Sequence, residues 1–255
     1  MSMQQKVAII TGGGTGIGRE TARMLLAQGA RVVLNGRREE VLRQTAVELD
    51  PGGERVALLA GAIEDPATGQ GLVDLAFARF GRLDLLVNNA GIFKPTGFLE
   101  HGPEDFQAYV DVILKGTFFA SQAAIKAMVG KGSGGAIVNV GSMWAEQAIG
   151  ATPSTAYSAA KAGVHALTRN LAIEFASQGI RVNAVAPAVV ETPVYNTFLS
   201  DEQVAEVLPG FNAFHPLGRN GQPQDIAEAI LYLASAQWVT GTILQIDGGV
   251  MAGKH

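Results

Sequence analysis

The chain has 255 residues, a net charge of −4, 47% hydrophobic residues and no cysteine. The missing cysteine excludes disulfides, thiolate metal sites and cysteine nucleophiles, and the absence of a basic cluster argues against a nucleic-acid partner. The first apolar run follows Lys6 directly, leaving no room for a signal peptide, and no apolar run reaches membrane-spanning length, so a cytoplasmic protein without a membrane partner is expected.

Val7 to Ile10 reads as a short buried strand. It feeds Thr11-Gly12-Gly13-Gly14-Thr15-Gly16-Ile17-Gly18, and a helical pattern follows from Arg19 to Gln28. Strand, glycine turn and helix together form the setting in which backbone N–H groups approach a pyrophosphate, so Gly12, Thr15, Gly16, Ile17 and Gly18 are candidate dinucleotide contacts. Arg31 to Asn35 is the second strand, followed by Gly36-Arg37-Arg38 and a helix to about Leu49. In a dinucleotide fold the end of this strand meets the adenosine ribose, where an acid selects NAD and a nearby arginine accommodates the 2′-phosphate of NADP. The acid is absent here, and Arg37 and Arg38 supply forked cations suited to phosphate. NADP(H) is therefore favoured, with NAD(H) as the alternative.

Arg55 to Ala60 is a third strand, and Asp65-Pro66 caps and opens a helix to about Phe80. Leu83 to Val87 is a fourth strand that ends in Asn88-Asn89-Ala90-Gly91, at the carboxyl end where ligands bind in such sheets. Pro103 starts a long helix toward Met128, interrupted around Lys115-Gly116. Ala136 to Val140 is a fifth strand with Ser142 just beyond it, Thr155 to Ala176 an amphipathic helix, and Ile180 to Val185 a sixth strand ending in Ala186-Pro187. From about 188 to 222 the pattern turns irregular and aromatic, which marks a substrate lid. A helix from Asp225 to Ser235 and a final strand from Thr242 to Ile246 complete the chain. Six strands alternating with helices, then this last one, imply a single-domain α/β fold over 1–255: a Rossmann-type, doubly wound parallel sheet.

The chemistry centres on Tyr157-Ser158-Ala159-Ala160-Lys161. Residues four apart share a helix face, so Tyr157 and Lys161 project to one side. A free tyrosine, with a pKa of about 10, is a poor base at neutral pH. A lysine cation one turn away favours the phenolate. A serine hydroxyl nearby, Ser142, would hold the substrate oxygen that Tyr157 protonates or deprotonates. Such a trio suits interconversion of an alcohol and a carbonyl. No grouping of histidines and carboxylates has metal-ligand spacing.

In this order, the Thr11–Gly18 turn, Asn88-Asn89-Ala90-Gly91, Ser142, Tyr157-xxx-Lys161, Arg181-Val182-Asn183 with Pro187, Thr192, Arg219, and Thr240-Gly241 leading to Asp247-Gly248-Gly249 closely resemble the short-chain dehydrogenase/reductase family. The resemblance runs from Lys6 to Gly249. It implies that Tyr157 is the general acid/base, that Lys161 lowers its pKa and holds the nicotinamide ribose, and that Ser142 orients the substrate oxygen. It further implies that Asn89, Ala90 and Gly91 line the cofactor, that Pro187, Val190 and Thr192 lie along the nicotinamide, and that the assembly is a homotetramer. Four departures stand out. Ile113 occupies the position of the family Asn, whose water links Lys161 to solvent, and Ile113 cannot hydrogen-bond that water. Ala62 replaces an Asp that contacts adenine, Ala188 replaces the Gly after Pro187, and the Ser142–Tyr157 interval is lengthened around Ala148–Ser154.

The expected activity is an NADP(H)-dependent oxidoreductase acting on a small neutral carbonyl or secondary alcohol. Its expected pocket residues are Phe93, Met143, Trp144, Gln147, Tyr195, Phe198, Phe211 and Phe214. The competing expectation, motivated by Ile113, is a nucleotide-binding sensor or scaffold with little turnover.

Overall fold

A computed structural model describes residues 3–150 and 152–253. Ala151, inside the lengthened Ser142–Tyr157 interval, lies outside the described residues.

The strands are Val7–Ile10 (β1), Arg31–Gly36 (β2), Val56–Ala60 (β3), Leu85–Asn88 (β4), Gly135–Val140 (β5), Ile180–Pro187 (β6) and Ile243–Ile246 (β7). They form one seven-stranded sheet in the order β3-β2-β1-β4-β5-β6-β7, and every neighbouring pair is parallel. The helices are Gly16–Ala27 (α1), Glu39–Leu49 (α2), Pro66–Phe80 (α3), Pro103–Tyr109 (α4), Gly116–Lys131 (α5), Thr155–Glu174 (α6), Asp201–Val207 (α7) and Pro223–Ser235 (α8).

A parallel sheet buried on both faces needs strands that are apolar throughout, and β1 shows how the alternation is used. Ala8 and Ile10 join Leu25, Leu34 and Ile230 in the core beneath α1 and α8, while Val7 and Ile9 join Leu72, Ala124 and Met128 in the core beneath α3 and α5. Successive side chains thus feed opposite layers, the doubly wound arrangement. Between β4 and β5, Asn88 Nδ2 donates to Ser121 Oγ and to Asn139 Oδ1, both at 2.9 Å, and Asn139 Nδ2 donates to Thr168 Oγ1 at 2.9 Å. This chain of buried donors and acceptors ties α5, the sheet and α6 together at the depth of the site.

Local signals account for several boundaries. Asp65 accepts from Ala67 N at 2.9 Å and Pro66 takes the first helical position, as expected for the start of α3. The glycine turn runs into α1 sooner than the pattern indicated, with the helix opening at Gly16 rather than Arg19. The interruption expected near Lys115-Gly116 is a π-helical turn over Val110–Lys115. With that turn the helical run Pro103–Lys131 spans 29 residues, and its most apolar stretch has mean hydropathy 1.3. By length and composition it reaches a membrane-spanning helix, which corrects the expectation that no run does. Half of that stretch is buried inside the protein, with Ala120, Ala124, Ile125 and Met128 packed into the α3–α5 core, as in a core helix.

The irregular segment 188–222 contains more order than its pattern suggested. Ser200 Oγ accepts from Gln203 N and Ser200 N donates to Gln203 Oε1 at 2.9 Å, a capping box that starts α7. The ends of the segment meet: Val190 pairs with Gly221, and Glu191 N donates to Gly221 O at 2.9 Å. The segment is a closed excursion above the carboxyl ends of the strands.

Candidate active site

The order of the sheet reverses at β1, whose neighbours β2 and β4 lead away in opposite directions. A crevice opens at such a switch point, outside the carboxyl ends of the strands. Here it is a cavity of about 320 Å³. It is lined by Gly12, Thr15, Gly16, Ile17, Arg37 and Arg38 at one end, by Asn89, Ala90 and Gly91 in the middle, and by Ser142, Tyr157, Lys161, Pro187, Val190 and Thr192 at the other.

The turn residues are held by side chains from β1 and β4. Thr11 Oγ1 accepts from both Asn89 N and Ala90 N at 3.0 Å, and Asn89 Nδ2 donates to Thr11 O at 3.0 Å and to Gly12 O at 3.1 Å. Thr11 was not among the expected site residues, although its hydroxyl fixes two that were. Gly12 and Gly16 take left-handed conformations, with φ of +63° and +52°. Gly18 does not line the cavity. It is buried, and a Cβ there would collide with the Gly12 carbonyl and lie 2.6 Å from Asn89 Nδ2, so this glycine permits close packing of helix on turn. Thr15 makes no side-chain capping bond and the first turn of α1 holds no acidic residue. The free N–H groups and positive end of the helix therefore face the crevice, a setting suited to an anion.

At the other end, Ser142 follows β5, its Oγ accepts from Trp144 N at 3.2 Å, and its hydroxyl is directed at the Tyr157 phenol. Tyr157 and Lys161 stand one turn apart on α6. Burial pushes the Tyr157 phenol up to about 12, against a lowering from the Ser142 hydroxyl and a smaller raising from Tyr109. Burial pulls the Lys161 ammonium down to about 8. The expected lowering of Tyr157 by Lys161 is thus not what dominates here. Lys161 Nζ donates to Val140 O at 2.6 Å and sits 5.7 Å from the centre of the Tyr157 ring, so its charge is tethered to the end of β5.

Of the expected pocket residues, Phe93, Trp144, Tyr195 and Phe211 line the cavity, and Met143, Gln147, Phe198 and Phe214 do not. Met143 is wholly buried in the core and Gln147 is exposed. Phe198 packs edge-on against Phe93 with centres 6.0 Å apart, and Phe214 lies 6.3 Å from Trp144, so both back the wall from behind. Ala188, Pro193 and Val194 also contribute to the wall.

The chain that carries this crevice is matched over nearly its whole length by known proteins. A family model described as enoyl-(acyl carrier protein) reductase matches residues 12–251. The cis-4-hydroxycyclohexanecarboxylate dehydrogenase of Sinomonas cyclohexanicum is 40% identical over 251 residues, with 97% of each chain covered. A short-chain type dehydrogenase/reductase from Mycobacterium marinum superposes with a TM-score of 0.92 at 31% identity, covering 99% of this chain and 98% of that one. The structure of ElxO with NADP bound superposes with a TM-score of 0.88 at 31% identity, covering 97% of this chain and 99% of that one. The chain belongs to the short-chain dehydrogenase/reductase family. As a member of it, the protein is a dehydrogenase of CH–OH groups with an NAD(P)-binding Rossmann sheet.

Within this short-chain dehydrogenase, Ile113 lies in the π-helical turn, 1% exposed, in an apolar cluster with Tyr109, Ala156, Ala160 and Val164 against which Tyr157 packs. Hydrocarbon fills the space beside α6. An asparagine restored here would bury an amide among carbons, so Ile113→Asn is expected to lower stability by about 2–4 kcal/mol. Equilibrium urea unfolding checks this, and an unchanged midpoint would show that the cluster has room and partners for the amide.

Proposed function

We propose that this dehydrogenase is an NADP(H)-dependent enzyme that interconverts a small neutral carbonyl and a secondary alcohol, with Tyr157 as general acid/base. The observation that carries the reading is that Ser142, Tyr157 and Lys161 line the same cavity as the glycine turn, Arg37 and Arg38. Gly12, Thr15, Gly16 and Ile17 would hold the diphosphate and Arg37 with Arg38 the 2′-phosphate. Asn89, Ala90, Gly91, Pro187, Val190 and Thr192 would hold the nicotinamide half, and Lys161 its ribose. Gly18 supports the turn from behind. When bound, the nicotinamide supplies or accepts the hydride.

The residues of the chain handle the oxygen and its proton. Ser142 Oγ, with its own lone pair engaged by Trp144 N, donates to the substrate oxygen. Tyr157 donates a proton to that oxygen in reduction and removes it in oxidation. With the phenol pushed up and the ammonium pulled down, the free site at neutral pH holds a protonated Tyr157 and a largely cationic Lys161, the charge state that reduction needs. The aromatic residues Phe93, Trp144, Tyr195 and Phe211 present apolar surface at that end, and among the described residues no lysine or arginine lines it apart from Lys161, which favours a neutral substrate. The segment 188–222 acts as the lid within a single domain.

The test is binding of NADPH and NADH to the purified protein, then NADPH oxidation against a panel of ketones and diketones. Tight NADPH binding with ketone-dependent oxidation is the expected result. Tight binding with no turnover across the panel would favour the sensor reading, for which Ile113 is the specific support. We also propose a cytoplasmic homotetramer. Phe98 (70% exposed), Leu99 (95%), Phe106, Phe118 and Ile173 (82%) leave large apolar surface on and around α4, α5 and α6, and light scattering at four chain masses checks it.

A further inference from the structure

We infer that His165 is a positioning residue for the reaction: its Nε2 accepts the Ser142 backbone N–H and thereby sets the angle at which the Ser142 hydroxyl meets the substrate oxygen. This rests on the proposed role of Ser142 and adds a residue outside the Ser-Tyr-Lys trio.

His165 lies one turn beyond Lys161 on α6 and is 2% exposed. Its Nε2 is 3.4 Å from Ser142 N. The backbone makes room for this approach at Gly141, where a Cβ would collide with Nε2 and lie 2.7 Å from Cδ2 of the same ring. The other ring nitrogen, Nδ1, faces Glu146 Oε1 at 3.2 Å. Glu146 is itself held from the sheet side, because Gln245 Nε2 donates to its Oε2 at 2.9 Å, and Arg169 Nη2 stands 3.9 Å from Oε1. A backbone N–H can only donate, so Nε2 is the bare nitrogen, and the neutral ring carries its proton on Nδ1, on the side of Glu146. The strut is the contact of the His165 ring with the peptide that carries Ser142, with Glu146, held by Gln245 of β7, standing behind the ring.

Protonation breaks this strut, since an imidazolium presents N–H at Nε2 toward another N–H. The charged groups around the ring are Glu146, which favours the cation, and Lys161 and Arg169, which oppose it. Burial is the largest influence and holds His165 below the ordinary histidine range, so the acceptor form prevails at neutral pH. A histidine that merely fills space would have no such dependence.

The test is the pH profile of kcat for NADPH-dependent carbonyl reduction. This direction needs Tyr157 protonated, so acid by itself does not disable the proton donor. The wild type is expected to lose kcat toward acid. His165→Gln, whose amide oxygen can accept the same N–H without titrating, keeps kcat and loses the acid limb. Glu146→Gln shifts that limb to lower pH, because it removes the charge that favours the imidazolium. His165→Leu lowers kcat by about tenfold, the scale of one lost buried hydrogen bond expressed as a rate, with KM for NADPH unchanged. An acid limb that survives in His165→Gln, or wild-type kcat in His165→Leu, overturns the assignment. Nitrogen NMR on isotope-labelled histidine provides a readout without substrate: His165 is expected as the Nδ1–H tautomer, with the Ser142 amide shifting as the ring titrates. An Nε2–H tautomer overturns the strut. The expected tautomer in a protein that reduces no carbonyl would instead count against the oxidoreductase reading while upholding the contact.

Discussion

Tyr157→Phe is expected to lower kcat for carbonyl reduction by about three orders of magnitude, within the range that a positioned general acid contributes, while NADPH affinity stays within about twofold. The ring remains, so its edge-on contact with Phe93, centres 5.0 Å apart, and its packing on Tyr109 are preserved. Only the hydroxyl is lost, and with it the phenol oxygen that meets Ser142 in the cavity. The pH dependence has a definite sign. A phenol pushed up to about 12 in the free protein is protonated at neutral pH, so reduction is served there and on the alkaline side declines as the phenol ionises. Alcohol oxidation needs the phenolate and climbs with pH through the same ionisation. Steady-state kinetics in both directions, with a fluorescence titration of NADPH on the variant, measures all of this. Turnover retained in Tyr157→Phe would mean that another group moves the proton.

The double variant Arg37→Ala, Arg38→Ala is expected to raise the Kd for NADPH by about tenfold to a hundredfold and to leave that for NADH nearly unchanged. Hydrogen bonds to a charged partner contribute about 1.5–3 kcal/mol each, and the lower part of that range applies because both guanidinium groups are exposed and screened by solvent. Neither arginine is engaged in a salt bridge among the described residues, and both border the cavity where the ribose of adenosine would lie. The side chain at the end of β2 does not compete for that ribose: Asn35 is buried, and its Nδ2 donates to Leu59 O and Gly61 O at 3.1 Å, turned toward β3. Titration of both nucleotides against wild type and variant gives the ratio directly. An unchanged ratio would place 2′-phosphate recognition elsewhere or remove it.

Where the sequence was clear, the signal was local. The apolar run of β1, the glycines that must take positive φ, and the Asp65-Pro66 start of α3 each depend on a few adjacent residues whose backbone preferences point one way. The i, i+4 spacing of Tyr157 and Lys161 is likewise a property of one helix. A local signal is also present inside 188–222, where Ser200 and Gln203 stand at capping-box spacing, but prolines and glycines interrupt the surrounding pattern and mask it.

Other features join residues far apart in the chain. The tethering of Lys161 to Val140, the clamp of Asn89 by Thr11 and the contact of His165 with Ser142 link positions separated by 21, 78 and 23 residues. No composition or periodicity carries such pairings, because they exist only once parallel strands bring their carboxyl ends to one crevice. The same holds for the proton chemistry. Spacing alone indicated that Lys161 would acidify Tyr157, whereas the folded site buries both groups and moves them the other way, the phenol up and the ammonium down. The sequence by itself determined the sheet, the turn and the placement of Tyr157 and Lys161 on one helix face, since these follow from backbone preference and helical phase. Only the tertiary structure decided which groups meet, how Ser142 is held and which charges survive burial, since these depend on distances across the sheet and on the water that packing removes.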